Sequence, residues 1–403
     1  MINLIKNSYS TGNAKENFTS FLVALAFLFN SICLLANILV PSLTNFGELC
    51  VVVILISGIN VCISSSLRIN VKLLCTNILV LFAFLVSFVF YGSSIVIGTL
   101  MINYIVWGIG ITTIMTQRYD IRATLNYAFW IATIIIVFEL VMDPHENYDA
   151  MVWTYAVFPC IAVSIIHFFY CRLEKALLRI AYIPCMIMLI KFIMHSNRGG
   201  IFSMIVLLCL VSIKSARRMD HRLKNKRLMV VVLLFVAFII ALFFEQIIMF
   251  AYKVLESFDY EISALSKMYR LIEKGNYSNN RSELYAYAWS GFLKSPLWGH
   301  GVGGFSINHG GWVHNFILQL LYEGGILLTS LILIPLIGNC VFVMKEKQIA
   351  VEEYALFVLF FSVSIPRLFF STELWNTQAF WMLFAFCVLI RSKYNNLRGD
   401  IAA

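Results

Sequence analysis

Four short stretches hold residues whose chemistry stands apart from the apolar chain around them. HSNRGG (195–200) sets Arg198 and two glycines between the runs AYIPCMIMLIKFIM and IFSMIVLLCLVSI. NNRSELY (279–285) carries Arg281, and SIPRLFFSTELW carries Arg367. VHNFILQLLYEGGILL places His314 and Asn315 at the start of an apolar run that Tyr322, Glu323, Gly324 and Gly325 then interrupt. A guanidinium fork matches phosphate oxygens, so outward arginines suit a phosphate ligand. An imidazole with an ordinary pKa near 6.5 suits proton transfer at neutral pH. The bland alternative for His314 is an interfacial polar residue, and for Arg367 an interfacial anchor.

The elements that must hold these residues are set by composition. The chain has 403 residues, 61% of them hydrophobic, only 13% charged, and a mean hydropathy of +0.85. Soluble domains carry about 25% charge, so the chain is read as a polytopic membrane protein. Crossing about 30 Å of hydrocarbon takes roughly 20 apolar residues. On that measure about twelve spans are expected, near 21–41, 48–66, 73–92, 95–115, 123–142, 151–170, 177–194, 200–213, 228–250, 315–340, 351–366 and 376–391. The polar first twenty residues read as a cytoplasmic lead without a cleavable signal.

Orientation follows from lysine and arginine. With the N-terminus inside, 21 of the 30 basic residues fall in inside segments, seven of them in KSARRMDHRLKNKR (214–227). The first three outside loops hold none, so both termini are expected in the cytoplasm. The net charge of +9 is thereby explained by topology, and the basic run reads as a topogenic loop touching anionic lipid rather than a nucleic-acid site. Arg198 and Arg367 break the bias as single arginines at outer helix mouths. The ten cysteines lie in or beside apolar runs with no CxxC and read as small core hydrophobes.

Three parts result: helices 1–9 over 1–250, an outer loop over 251–313, and helices 10–12 over 314–403. The loop opens with an amphipathic stretch suited to the interface, continues through the turn cluster NYSNN, and forms a second, aromatic-faced helix in RSELYAYAWSGFLKSPL. LWGHGVGGFSINHGGW follows, with six glycines in sixteen residues. Glycine lets backbone approach a ligand closely and offers N–H groups to anions, which makes Gly303 and Gly304 candidates. GHGVGG is a weak nucleotide fingerprint, because no strand–helix unit surrounds it. Tyr285, Trp289, Trp298 and Trp312 could stack on sugars, although interfacial aromatics are the default.

NRGG, NNRSELY, KSPLWGHGVGGF and HNFILQLLYEGGIL, in this order over about 195–330, resemble the O-antigen polymerase and ligase superfamily of bacterial inner-membrane, lipid-linked glycan transferases. The first half is similar only in being polytopic. The resemblance implies an all-α, GT-C-like membrane protein whose site faces the periplasm, with a glycan on undecaprenyl pyrophosphate as donor. It implies that Arg198 and Arg281 hold the pyrophosphate and that His314 activates the acceptor hydroxyl. Asn315, Glu323, Arg367, Gly303 and Gly304 are further candidate substrate-binding residues, Glu323 also as the partner of an arginine. One departure is that Gly324 and Gly325 are adjacent, with Leu328 where the family would place a later glycine. Arginines supply positive charge where the leaving group develops negative charge, and a single displacement would invert the anomeric centre.

No DxD motif lies in the outward segments. DPHENYD (143–149) could hold a divalent ion but is more simply a solvated loop, so neither metal nor cofactor is expected. Expected partners are lipid-linked glycans, membrane lipid and a chain-length regulator protein. Polymerase and ligase share the donor and differ in the acceptor. The compact loop and the ending SIPRLFFSTELWNTQAFWMLFAF lean toward a polymerase. A lipid-linked oligosaccharide flippase is a third reading, weakened by the lack of the internal repeats usual in transporters.

Overall fold

The computed structural model describes residues 14–39, 57–59, 68–91, 94–142, 149–170, 176–218, 244–258, 263–273 and 281–402. Among them the chain is helical throughout, with no strand. In order the helices are α1 (Ala14–Phe27), α2 (Phe29–Leu39) and α3 (Val71–Tyr91). Then come α4 (Ile95–Thr116), which contains a π-helical stretch at Tyr104–Gly110, α5 (Ile121–Met142) and α6 (Ala150–Tyr170). These are followed by α7 (Ala176–His195), α8 (Arg198–Arg218), α9 (Phe244–Glu256), α10 (Ser263–Glu273) and α11 (Arg281–Lys294). The last are α12 (Gly304–His309), α13 (Phe316–Lys345), α14 (Val351–Phe370) and α15 (Gln378–Ala402).

Six of these helices, α3, α4, α5, α6, α13 and α14, are long and apolar enough to cross a membrane, and α1 with α2, bent by 65° at their junction, makes a seventh if the pair is one span. The bend falls within the span expected over 21–41. The expected spans at 177–194 and 200–213 appear as shorter apolar helices, and that at 376–391 lies within α15. The spans expected at 48–66 and 228–250 lie largely outside the described residues, as do most of the basic run 214–227, the NYSNN cluster and most of DPHENYD.

Several helices start at an Asn or Asp whose side chain accepts the first free backbone N–H groups. Asn70 Oδ1 caps α3 through Lys72 and Leu73, and Asp120 Oδ1 caps α5 through Arg122 and Ala123. Prolines 159, 184, 335 and 366 sit inside helices, as membrane helices tolerate.

The core runs along α14 and α6, whose apolar windows are 72% and 78% buried, against 33% for α3. α14 packs on α8, α6 and α15, and Tyr354, Phe357 and Phe360 are sealed within it. The peripheral helices turn large apolar side chains outward: Val89, Phe90 and Ile95 are each more than three-quarters exposed. Such a surface is stable against lipid and not against water. The chain is therefore a multi-pass membrane protein.

At the bundle end assigned by charge to the cytoplasm, basic residues find carboxylates. Arg122 pairs with Glu352 at 2.9 Å and Lys393 with Glu353 at 2.7 Å, and Arg398 pairs with Glu346. The seven described cysteines are free thiols, four of them buried.

Candidate functional site

The opposite end of the bundle gathers the chemistry. α8 begins at Arg198 because Asn197 Oδ1 accepts the Gly200 N–H at 2.8 Å, while the Asn197 N–H is held by Thr154 Oγ1 of α6 at 3.1 Å. Asn197 thus caps α8. The two glycines serve a purpose other than ligand access. A Cβ on Gly199 would lie 1.9 Å from the Tyr155 hydroxyl, and one on Gly200 would lie 2.2 Å from Thr154 Cγ2. They let the start of α8 lie directly on α6, leaving the Arg198 side chain exposed at the bundle end.

His314 immediately precedes the cap of α13. Asn315 Oδ1 accepts the N–H groups of Ile317 and Leu318 at 3.1 and 3.2 Å, so this candidate ligand group is occupied in ending the helix. His314 itself has φ of +57°, the one positive φ among described non-glycine residues. A β-carbon in this region is strained by about 1–3 kcal/mol and tends to persist where surrounding structure imposes it, often at functional sites. The ring is half-buried, its Nδ1 is buried without a partner, and Trp312 stands edge-on 5.9 Å away.

Arg281, the first residue of α11, is close enough to both Arg198 and His314 for its charge to act on each. Burial, reinforced by Arg281, pulls the His314 imidazole down to about 4, so the ring is neutral at pH 7. Arg281 and Arg367 both bring positive charge to the Tyr155 hydroxyl. The Arg367 guanidinium lies over the Tyr155 ring at 5.1 Å. Residues from α6, α8, α11, α14 and the start of α13 therefore meet in one place.

The glycine-rich stretch builds this place by a backbone clasp. Gly325 breaks α13 with φ of +58° and ψ of −158°, which frees the N–H groups beyond it. Pro296 O accepts from Ile326 at 2.8 Å and Leu297 O from Leu327 at 3.3 Å. In return His300 donates to Tyr322 O and Gly301 to Glu323 O, at 2.8 and 2.7 Å. A Cβ on Gly299 would sit 2.5 Å from the Glu323 carbonyl carbon, and one on Gly325 2.4 Å from the Leu297 carbonyl. The interruption expected at YEGG is real. The close approach that these glycines allow is to another segment of the same chain.

Gly303 and Gly304 follow the same pattern. Their β-carbons would meet Leu100 of α4 and the Tyr91 hydroxyl of α3, at 3.2 and 2.6 Å. Val302, beside them, donates to Ser87 Oγ at 2.7 Å. They seat the loop on α3 and α4.

Glu323 is engaged by uncharged side chains. It is 1% exposed, and its oxygens accept from Trp375 Nε1 at 2.9 Å and Gln319 Nε2 at 3.2 Å, with no arginine among its described partners. Gln319 Nε2 reaches Glu373 at 3.3 Å as well, and Asn376 donates to the other Glu373 oxygen at 3.2 Å. Burial and the neighbouring Glu323 push the Glu373 carboxyl up to about 8. This polar knot ties the first turns of α13, next to His314, to the turn that follows Arg367.

Sequence reasoning missed Tyr155, Gln319, Glu373 and Trp375. Tyr155 and Gln319 are single polar-tipped residues within apolar helices, and nothing local marks them. Trp289, Trp298 and Trp312 are exposed, Trp298 at 74%, and Tyr285 reaches the His314 carbonyl at 3.5 Å.

Residues 183–333 match the family model described as O-antigen ligase. The matched stretch runs from α7 through the loop into α13 and so includes Arg198, Arg281 and His314. No curated protein matches the chain, and no solved structure does.

Proposed function

We propose that the chain is a glycosyltransferase of bacterial surface-polysaccharide assembly, a polymerase that works on the periplasmic side of the inner membrane. Its donor would be a glycan on undecaprenyl pyrophosphate, and its acceptor the terminal sugar hydroxyl of another lipid-linked repeat unit. The observation that carries this reading is Arg281 standing close to both Arg198 and a neutral, half-buried His314.

In this mechanism Arg198 and Arg281 hold the diphosphate. A ring nitrogen of neutral His314 takes the proton of the acceptor hydroxyl as its oxygen attacks the anomeric carbon. The bond from that carbon to the diphosphate oxygen breaks, and the lipid diphosphate leaves with the electron pair, neutralised by the two guanidiniums. One displacement inverts the anomeric centre. A base poised this way contributes about 10²–10⁴-fold. The arginines supply the charge that a metal supplies elsewhere, so transfer is expected to survive chelation.

The matched family's description favours a second reading, a ligase that passes the chain to lipid A–core. Deleting the gene and running the cell's lipopolysaccharide on a gel separates the two. One repeat unit on core supports the polymerase. Bare core, with long chains accumulating on the lipid carrier, supports the ligase. Loss of outward-facing lipid-linked units would instead indicate a flippase and overturn both.

A further inference from the structure

Arg367 is a cation built into the bundle without an anion. Its Nε is buried with no acceptor, and among the described residues it forms no ion pair. The carboxylates on neighbouring segments are already engaged, Glu323 by Gln319 and Trp375, and Glu373 by Gln319 and Asn376. A charge inside a membrane protein is costly unless paired or functional, and a buried donor with no acceptor adds to that cost.

The surroundings hold the guanidinium in place without satisfying it. Its central carbon lies over the Tyr155 ring, 5.1 Å from the centroid. That ring is fixed by Ser371 Oγ, which donates to its hydroxyl at 2.8 Å, and by a further bond with Asn197. Tyr155 thus couples Arg367 to the residue that caps the Arg198 helix. Depth separates the two arginines. Gly199 packs at the level of Phe370, where its Cβ would be 3.1 Å from Phe370 Cβ. Arg367 lies three residues earlier in α14, so at about 1.5 Å rise per residue it sits roughly one turn further into the bundle.

We infer that Arg367 is a further phosphate-binding residue, which takes the phosphate nearer the lipid chain while Arg198 and Arg281 take the phosphate nearer the sugar. This rests on the proposed diphosphate donor and gives its two phosphates separate seats. A diphosphate diester carries two negative charges, and Arg367 supplies the acceptor-seeking donors that the second phosphate meets. The site thereby distinguishes a lipid diphosphate from the lipid monophosphate that has one anionic group fewer.

The test uses the purified full chain in nanodiscs of zwitterionic lipid. Binding of polyisoprenyl diphosphate and of polyisoprenyl monophosphate is measured for wild type, Arg367→Gln, Arg367→Lys and Arg198→Gln, with melting temperatures alongside. Wild type is expected to prefer the diphosphate. Because the single phosphate of the monophosphate is the one attached to the lipid chain, Arg367→Gln should lose about tenfold or more on both ligands and keep its melting temperature, while Arg367→Lys recovers part of the loss. Arg198→Gln should weaken the diphosphate and leave the monophosphate nearly unchanged. The inference is overturned if Arg367→Gln binds the monophosphate as wild type does, or weakens both ligands with a lower melting temperature, which is a structural role. It is also overturned if anionic phospholipid added to the disc abolishes the difference between wild type and Arg367→Gln, which marks a headgroup site. Wild type binding neither ligand would sink the donor assignment itself, and the inference with it.

Discussion

Gly325→Ala tests whether the backbone clasp holds the site together. Gly325 occupies a region of φ and ψ that is open essentially to glycine alone, at a cost of about 1–3 kcal/mol for another residue. Its new Cβ would lie 2.4 Å from the Leu297 carbonyl carbon and oxygen, and backbone cannot swing aside as a side chain can. Displacing it breaks the bonds from Ile326 to Pro296 and from Leu327 to Leu297, each contributing about 0.5–1.5 kcal/mol net. The expected loss is about 2–6 kcal/mol, comparable with the whole stability of a small domain. Gly311→Ala is the control, since no atom lies within 4 Å of a Cβ there. Melting in nanodiscs, proteolysis across residues 295–304 and glycan transfer are measured for both. Gly325→Ala should melt lower, open the loop to protease and lose transfer, with Gly311→Ala unchanged. Wild-type melting and transfer in Gly325→Ala would refute the reasoning.

Three other outcomes follow from the site. Because burial and Arg281 hold His314 down to about 4, the active neutral ring persists through mild acid: kcat/KM for transfer should stay level from pH 8 to 5 and fall only toward pH 4. A limb centred near 6.5 would contradict this. Glu373 is pushed up to about 8, so the fold binds its proton more tightly than the unfolded chain does, and stability falls as pH rises from the ordinary carboxylate range through about 8. Glu373→Gln should therefore melt higher than wild type at pH 9 and close to it at pH 6. Asn197→Ala removes the cap of α8 and is expected to cost about 0.5–2 kcal/mol, read as a lower melting temperature and weaker donor binding.

The spans were legible wherever an apolar run met a capping residue, as at Asn70, Asp120 and Asn315, because hydropathy and helix-end chemistry act locally. The bend between α1 and α2 was not, since Leu28 sits in an unbroken apolar run. Arg198, Arg281 and His314 stood out because each opposes its surroundings, and a charge or imidazole at a membrane boundary calls for a reason. The glycines misled in a specific way: their positions announced close approach, but sequence cannot say what approaches. The structure supplies α6 for Gly199 and Gly200, the Glu323 backbone for Gly299, and α3 with α4 for Gly303 and Gly304. Glu323 and Asn315 stood out by polarity, while their partners within the chain, Gln319 with Trp375 and the first turn of α13, were not legible for the same reason. Tyr155 and Gln319 join segments far apart in the chain, a relation that no local pattern contains.

The most direct test of the central claim separates binding from chemistry. Purified wild type, Arg281→Ala and His314→Ala are given a diphosphate-linked glycan donor and a lipid-linked acceptor, and donor binding and transfer are measured on the same preparations. His314→Ala should bind donor as wild type does and transfer about 10²–10⁴-fold more slowly, while Arg281→Ala should bind donor poorly. Wild-type transfer by His314→Ala, or undiminished donor binding by Arg281→Ala, would contradict the assignment of base and phosphate clamp.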